Sequence, residues 1–154
     1  MPSVTQEQRT RMLTLAQEAR NMSYSPYSKF RVGCAFLMKD GSYLQGCNVE
    51  NASYGGCICA ERTAMVKAVS NGSKAGDFIA LAVAADIDAP CSPCGICRQF
   101  IREFCSLELP ILLIPSSHDP SNPDKDGAKP VTETTLGELL PMSFGPEDLD
   151  RPRD

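Results

Sequence analysis

The chain has 154 residues, of which 42% are hydrophobic and 22% charged, with a net charge of −4 and a pI near 5.0. This is the composition of one domain, residues 1–154, with a core of its own. The acidic balance argues against nucleic-acid binding, which normally requires a basic stripe. The chain has no apolar run near the ~18 residues of a membrane span and no signal peptide at its start, so we predict a cytoplasmic protein without membrane attachment.

The first part of the chain predicts a helix and then a hairpin. Residues 5–22 begin with a capping box and continue with apolar residues at helical spacing. Residues 30–38 predict a strand, and Asp40-Gly41 predicts a tight turn into a second strand at about 42–50.

The remainder alternates helices and strands. The predicted elements are a helix at 59–69, an apolar strand at 78–85, a helix at 94–104, a strand at 110–115, a polar, proline-rich loop at 116–130, and a short helix capped by Thr135-x-x-Glu138. This order predicts the α/β class: a single-domain α-β-α sandwich with a mixed sheet between layers of helices.

Five of the eight cysteines fall in two motifs, CICAERTA at 57–64 and CSPCGICRQF at 91–100. In a reducing compartment, clustered cysteines more often bind metals or react than form disulfides. Cys94 and Cys97 are three residues apart at a predicted helix start, where both sulfurs can face one ion and the positive helix end favours thiolates. Cys59 lies at another helix start. Three sulfur ligands with an open fourth position are the pattern of catalytic zinc.

Two other interpretations of these cysteines stay open at this point. The CxxC pair could be buried structural residues or a redox pair, although redox chemistry gives no reason for the glutamate that follows Cys59. Alternatively, Cys57 or Cys91 could supply a fourth sulfur, which would close the site and make it structural.

The two motifs match the zinc-dependent nucleoside deaminase signature, in which [HC]-A-E is followed by P-C-x-x-C. The chain resembles the cytidine deaminases of the small, three-cysteine, homotetrameric type, and the likeness extends from SPYSKFRVGCA through NVENASYGG to LLPMSFGPEDL. The resemblance implies a cytidine-deaminase-like fold, with a mixed five-stranded sheet and helices on both faces. It also implies one Zn²⁺ per chain, held by Cys59, Cys94 and Cys97, and a homotetramer.

Deamination of cytosine adds water at C4 and expels ammonia. Zinc lowers the pKa of a bound water from ~15.7 towards ~7, so hydroxide is available at neutral pH to attack C4. The resemblance makes Glu61 the proton shuttle, which takes the water proton, protonates ring N3 and later protonates the leaving amine. Three thiolates leave the ion with a net negative charge, and the resemblance implies that Arg62 offsets it; Arg98 is a weaker candidate.

Substrate binding is predicted at the end of the second strand. Asn48 and Glu50 are two residues apart, so their side chains point the same way, and an amide beside a carboxylate suits sugar hydroxyls. An exposed strand edge is the alternative. The carboxylate argues against a phosphorylated substrate. Phe30 and Tyr54 are expected to pack against sugar or base, although either could be a core aromatic, and the predicted substrate-binding set includes Ala60.

The C-terminal tail, residues 142–154, is too polar to bury itself. In tetrameric relatives this tail reaches a neighbouring subunit's site, so the resemblance implies that Phe144 contributes to a shared active site.

Other residues are predicted to be structural. His118 is expected to be solvated, and Cys34, Cys47 and Cys105 are expected to be small core residues. Residues 122–133 carry acidic residues at the spacing of a calcium-binding loop, but prolines interrupt them, and a solvated loop is expected.

The sequence therefore predicts zinc-dependent deamination of cytidine, and of 2′-deoxycytidine, in pyrimidine salvage. A deaminase of a cytosine nucleoside antibiotic would share these motifs. A polynucleotide editor is disfavoured by the acidic charge, the small size and the cysteine in place of the usual histidine ligand. A structural zinc module for protein interaction would need a fourth cysteine ligand and would show no turnover.

Overall fold

The structure is a computed structural model that describes residues 4–152, so both ends of the predicted 1–154 domain, and the end of its tail, lie outside the described residues. The strands are β1 (Val32–Met38), β2 (Tyr43–Cys47), β3 (Phe78–Ala85), β4 (Pro110–Ile114) and β5 (Thr132–Thr135). The α-helices are α1 (Gln6–Asn21), α2 (Ala60–Ser70), α3 (Gly95–Phe104), α4 (Leu136–Leu139) and α5 (Pro146–Leu149). A short 3₁₀ helix covers Tyr54–Gly56.

The five strands form one sheet in the order β2-β1-β3-β4-β5. Strands β3 and β4 run parallel, and every other neighbouring pair is antiparallel. The mixed five-stranded sheet is therefore confirmed. The residue pattern itself predicted four of these strands, because β5 (TETT) is a polar edge strand with no apolar run to mark it. The short helix α5 was also not predicted.

Helices cover both faces of the sheet, as predicted. On one face α1 packs against alternate residues of the central strands, among them Ala35 and Ala82. On the other face α2, α3 and α4 pack against the intervening residues, including Phe36 and Val83. Strand β3 is almost wholly buried because both of its faces are covered, which explains its continuous apolar run.

Two glycines let helices approach the sheet closely. A Cβ atom on Gly33 would lie 2.0 Å from the main-chain nitrogen of Arg20, and one on Gly46 would lie 2.4 Å from the carbonyl oxygen of Ala60. Only glycine leaves room for these backbones. The contact at Gly46 holds the first turn of α2 against β2, and that turn carries the first cysteine of the predicted metal site.

The 116–130 segment folds back against α1 and the β3–α3 loop. His118 is 8% exposed, its Nδ1 lies 3.1 Å from the carbonyl oxygen of Lys129, and its own carbonyl accepts a hydrogen bond from Gln17. The prediction that His118 is solvated is wrong, because the end of the segment, at Lys129, and helix α1, at Gln17, both pack against His118.

The other expectations for small residues are largely met. Cys34 and Cys105 are buried, whereas Cys47 is half-buried, with its thiol 3.3 Å from the carbonyl oxygen of Met22. Glu133 of the calcium-like pattern lies on β5 and pairs with Arg9.

Between residues 4 and 152 no helix is long and apolar enough to span a bilayer.

Candidate metal centre and active site

Two helices begin at cysteines that face each other. Cys59 is the N-cap residue of α2 and Cys94 is the N-cap residue of α3, each with extended backbone and no capping hydrogen bond between its side chain and the main chain of its helix. Their sulfurs lie 3.8 Å apart. Cys97, in the first turn of α3, completes a group whose three sulfurs lie within 4.8 Å of one another.

This geometry fits zinc. Four ligands arranged tetrahedrally at the Zn–S distance of about 2.3 Å would lie about 3.8 Å from one another, which is the separation of the Cys59 and Cys94 sulfurs. The two helix starts direct main-chain N–H groups and positive potential towards the thiolates. Within residues 4–152 this is the one cluster of side chains suited to hold a metal ion.

The two neighbouring cysteines have other surroundings. The Cys57 thiol accepts a hydrogen bond from the main-chain N–H of Asn51 at 3.3 Å and lies 3.7 Å from the Asn51 carbonyl oxygen. Burial raises the pKa of Cys91, which keeps its thiol protonated. Both are separate from the three-sulfur group, so within residues 4–152 the cluster offers three ligands and leaves a fourth coordination position.

The three thiols share protons unequally. Hydrogen bonding from Cys97 and then from Arg62 lowers the pKa of Cys59 to about 5. The same bond to Cys59, followed by burial, raises the pKa of Cys97. The group therefore holds a thiolate at neutral pH even before a metal removes the remaining protons.

Arg62 is the cation beside the sulfurs. Its Nη2 lies 3.8 Å from the Cys59 sulfur and 3.4 Å from the carbonyl oxygen of Cys57. Arg98 instead braces the backbone: it donates to the carbonyl oxygens of Pro93 at 2.6 Å and Leu139 at 2.7 Å. The structure thus brings Arg62, and not Arg98, to the metal ligands.

Glu61 is a buried carboxyl group next to the cluster. It is the second residue of α2, it is 3% exposed, and it borders a cavity that Cys59 and Cys94 also line. Burial raises the pKa of Glu61, and the charge of Cys59 acts in the same direction. This carboxyl group therefore takes up a proton more readily than a solvated glutamate does, as a proton shuttle requires.

A cavity of about 330 Å³ opens in front of the cluster, within the size range of small-molecule sites. Its wall joins residues from three parts of the chain, among them Ser28, Phe30, Asn48, Glu50, Glu61, Cys91, Ser92 and Cys94. The predicted sugar-binding pair and the predicted proton shuttle therefore border the same space. The wall is mostly apolar, which suits a flat base.

Asn48 and Glu50 also hold the segment that carries Phe30. The Asn48 amide donates to the Phe30 carbonyl oxygen at 2.9 Å and accepts from the main-chain N–H of Val32 at 2.8 Å. Glu50 accepts from the main-chain N–H of Tyr27 at 2.8 Å. Both residues lie beyond the end of β2, so the structure places them in a loop and not on the strand that the pattern predicted.

Glu50 remains available as an anion. Hydrogen bonding from Ser28 lowers the pKa of Glu50, so the group is a carboxylate at neutral pH. Only one of its oxygens accepts the hydrogen bonds from Tyr27 and Ser28 within the described chain. The other oxygen can accept a hydroxyl hydrogen from a ligand.

Among the described residues, three members of the predicted substrate-binding set lie outside the wall of this cavity. Ala60 is fully buried between Cys59 and Glu61 at the start of α2. Tyr54 is 73% exposed and stacks at a tilt on Tyr27, with ring centroids 5.8 Å apart.

Phe144 is the third, and it is 63% exposed. Its carbonyl oxygen accepts a hydrogen bond from Gln99 of α3 at 3.2 Å, and the next residues are tied to α3 by an Arg102–Glu147 ion pair. The tail thus lies along α3 with its aromatic ring facing outward.

Sequence reasoning missed some residues around the cavity. Ser28 and Ser92 border it, and Asp86 holds an adjacent segment through Arg31. Ser92 directly precedes the P-C-x-x-C motif, and this position is the one weak indication in the sequence that it lies near the site. The role of Asp86 depends on a contact between residues 55 positions apart, which no local pattern reveals.

Known proteins resemble this chain over most of its length. The family model described as "Cytidine and deoxycytidylate deaminase zinc-binding region" matches residues 6–112. A cytidine deaminase of Sporosarcina psychrophila is 45% identical over 139 residues, covering 90% of this chain and 93% of that protein. One of Halalkalibacterium halodurans is 44% identical over 142 residues, covering 92% and 98%. The crystal structure of cytidine deaminase from Burkholderia pseudomallei superposes with a TM-score of 0.74 at 41% identity, covering 87% of this chain and 97% of that one.

Proposed function

The chain belongs to the cytidine and deoxycytidylate deaminase family, and we propose that it hydrolyses cytidine to uridine and ammonia with zinc as its cofactor. The single observation that carries this proposal is the position of Glu61, a buried carboxyl group that borders the same cavity as Cys59 and Cys94 of the three-sulfur cluster. A structural zinc module has no use for such a group in front of its metal.

Cys59, Cys94 and Cys97 are the proposed ligands of the zinc ion, one ion per chain. When bound, zinc supplies an acidified water for addition to C4 of the cytosine ring. The described residues bring three sulfurs together at this point, so a fourth position is open to solvent and substrate.

Glu61 is the proposed proton carrier. Its raised pKa allows it to carry the first proton of the attacking water to ring N3. It can then carry the remaining proton, from the new hydroxyl group on C4, to the amine, so that the C4–N bond breaks, ammonia leaves and the C4 carbonyl forms. Its burial excludes bulk solvent, so the proton stays between carboxyl group and substrate.

Arg62 is proposed to offset the negative charge of the three thiolates. Its contact with the Cys59 sulfur draws electron density from that ligand, which helps the ion to acidify water.

The cavity wall is proposed to select a nucleoside. Glu50 and Asn48 face sugar hydroxyls, and Phe30 packs against sugar or base. Tyr54 and Ala60 are proposed to complete the substrate site from its margin. A carboxylate at the sugar end would repel a phosphate, which favours cytidine and 2′-deoxycytidine over their nucleotides.

Phe144 is proposed to act on a neighbouring subunit. An aromatic side chain exposed on a tail that is anchored to α3 suits contact with a second copy of the chain. We propose a homotetramer with shared active sites, in which residues 142–154 contribute to a neighbour. The thiol ligands require a reducing compartment, so we propose a cytoplasmic enzyme of pyrimidine salvage.

The test is to mix the purified, reduced protein with cytidine and follow the loss of ultraviolet absorbance, with and without a chelator, while zinc is measured by mass spectrometry. We expect turnover that the chelator abolishes and one zinc ion per chain. Zinc binding without turnover of cytidine or 2′-deoxycytidine would refute the proposal. Turnover of a cytosine nucleoside antibiotic in their place would identify the closely related alternative.

A further inference from the structure

One wall of the cavity includes an irregular segment, residues 27–31, which contributes Ser28 and Phe30. Lys29, between them, has a φ of +57°, in the left-handed region that non-glycine residues seldom occupy. A backbone under this strain keeps its shape only if surrounding contacts hold it. The position of Phe30 therefore depends on whatever anchors this segment.

Two of the anchors are themselves proposed to bind substrate. Glu50 accepts the N–H groups of Tyr27 and Ser28, and Asn48 binds the backbone on both sides of Arg31. Replacing either one would remove an anchor and a substrate contact together, so neither can show what the anchoring does.

Asp86 is a third anchor, and it differs from the other two. Its Oδ2 accepts the main-chain N–H of Arg31 at 2.9 Å, and its two oxygens bind the Arg31 guanidinium, also at 2.9 Å. Within the described chain the cavity wall includes Phe30, one residue before Arg31, but not Asp86. Asp86 thus acts on the segment without reaching the substrate space.

Asp86 also stands at the start of the opposite wall. It directly follows β3 and begins the loop that leads through Cys91 and Ser92 to the metal ligand Cys94. Arg20 of α1 also stabilises this junction, because its guanidinium donates to the carbonyl oxygen of Ala85 at 3.0 Å. A single carboxylate therefore ties the wall bearing Phe30 to the loop bearing a zinc ligand.

We propose that Asp86 is a positioning residue, which sets the distance between Phe30 and the metal-bearing loop and so controls how tightly the nucleoside is held. This inference rests on the proposed deaminase function. Asp86 contacts Arg31, which is next to the wall residue Phe30, and it does not contact the proton shuttle. Its loss should therefore weaken substrate binding more than it slows chemistry.

Asp88 is a matched control two residues further along the same loop. It accepts the main-chain N–H of Ser117 at 3.1 Å and pairs with Lys129 at 3.0 Å, so it makes the same kinds of contact, but to the 116–130 segment. A general loosening of the loop would follow from either substitution, whereas a change in the cavity wall would follow only from Asp86.

The experiment compares Asp86→Ala, Asp86→Asn and Asp88→Ala as zinc-loaded proteins, measuring KM and kcat for cytidine, zinc content and thermal unfolding. We expect Asp86→Ala to raise KM about threefold to tenfold, the value of one hydrogen bond to a main-chain N–H, with kcat and zinc content nearly unchanged. Asp86→Asn should show a smaller rise, because its amide oxygen can still accept the Arg31 N–H. Asp88→Ala should leave KM at the wild-type value.

The inference fails if Asp86→Ala raises KM no more than Asp88→Ala does, or if its effect is a loss of zinc and kcat. If Asp86→Ala does not fold, Asp86→Asn decides: a wild-type KM in that variant overturns the inference. Absence of turnover by the wild-type protein would instead refute the proposed function, and the inference with it.

Discussion

Cys59 and Cys94 occupy the same position on two different helices, the residue before the first turn, and their sulfurs lie 3.8 Å apart. Each helix therefore directs its positive end at the same point. This convergence concentrates positive potential on a group of sulfurs that would otherwise repel one another as thiolates, and it leaves the space in front of them open to a substrate.

Replacing Glu61 with glutamine should greatly slow turnover while leaving the metal site intact. The amide keeps the size of the side chain but cannot carry protons, so we expect kcat to fall by about 10²- to 10⁴-fold. Zinc content and the unfolding temperature should stay near wild type. Glu103→Gln, on the exposed side of α3, is the control and should be fully active. Wild-type turnover by Glu61→Gln would contradict the mechanism.

Zinc stoichiometry should distinguish ligands from their neighbours. Cys97→Ser should lose most bound zinc, because one of three sulfurs disappears from the cluster. Cys91→Ser and Cys57→Ser should each retain one ion per chain, as measured by mass spectrometry after dialysis. Loss of zinc from either control would point to a closed, four-sulfur site.

Substitutions of Arg62 and Arg98 should have different effects, the first on kcat and the second on stability. Arg62→Gln removes the cation from the Cys59 sulfur, and we expect kcat to fall about 10- to 100-fold, as for other groups that contact metal ligands. Arg98→Gln removes hydrogen bonds to Pro93 and Leu139 and should chiefly lower the unfolding temperature. Equal losses of kcat at equal stability would show that charge at Arg62 has no special role.

Shared active sites can be tested by mixing two impaired variants. Phe144→Ala should lower kcat/KM by at least about tenfold, the usual cost of truncating a central aromatic contact. When it is unfolded and refolded together with Glu61→Gln, part of the activity should return. The intact Phe144 of one subunit would then complete a site whose Glu61 belongs to another. No recovery in verified mixed oligomers would argue that each chain uses its own tail.

The Asp86 anchor should give a pH-dependent stability difference. The Arg31 hydrogen bond lowers the pKa of Asp86, so the charged form of this side chain is more favoured in the folded protein than in the unfolded chain. The stabilisation is therefore present above the unfolded pKa of about 3.9 and is lost as the pH falls through the lower folded value. Thermal unfolding of wild type and Asp86→Ala, both freed of zinc, should differ at pH 7, and the difference should shrink as the pH falls below the unfolded pKa of about 3.9. A difference that grows on acidification would contradict this sign.

Local patterns were sufficient for most of the fold. Helical spacing, capping boxes and apolar runs predicted α1, the central strands and α4, because each depends on residues within a few positions of one another. The polar strand β5 lacks any such pattern. It exists because the main chain of β4 offers it hydrogen bonds, and a sequence of threonines and a glutamate does not show that.

For the site, the sequence alone identified the chemistry: a CxxC pair on one helix start, a third cysteine and a glutamate on another, and the family that combines them. Only the tertiary structure decided which atoms meet. It brought the two helix starts to one point, buried His118, turned Asn48 and Glu50 towards the Phe30 segment, and tied Asp86 to Arg31. The physical reason is the sequence distance between interacting residues, since the type and spacing of neighbouring residues set only local structure. Contacts between distant residues depend instead on how the helices pack across the sheet.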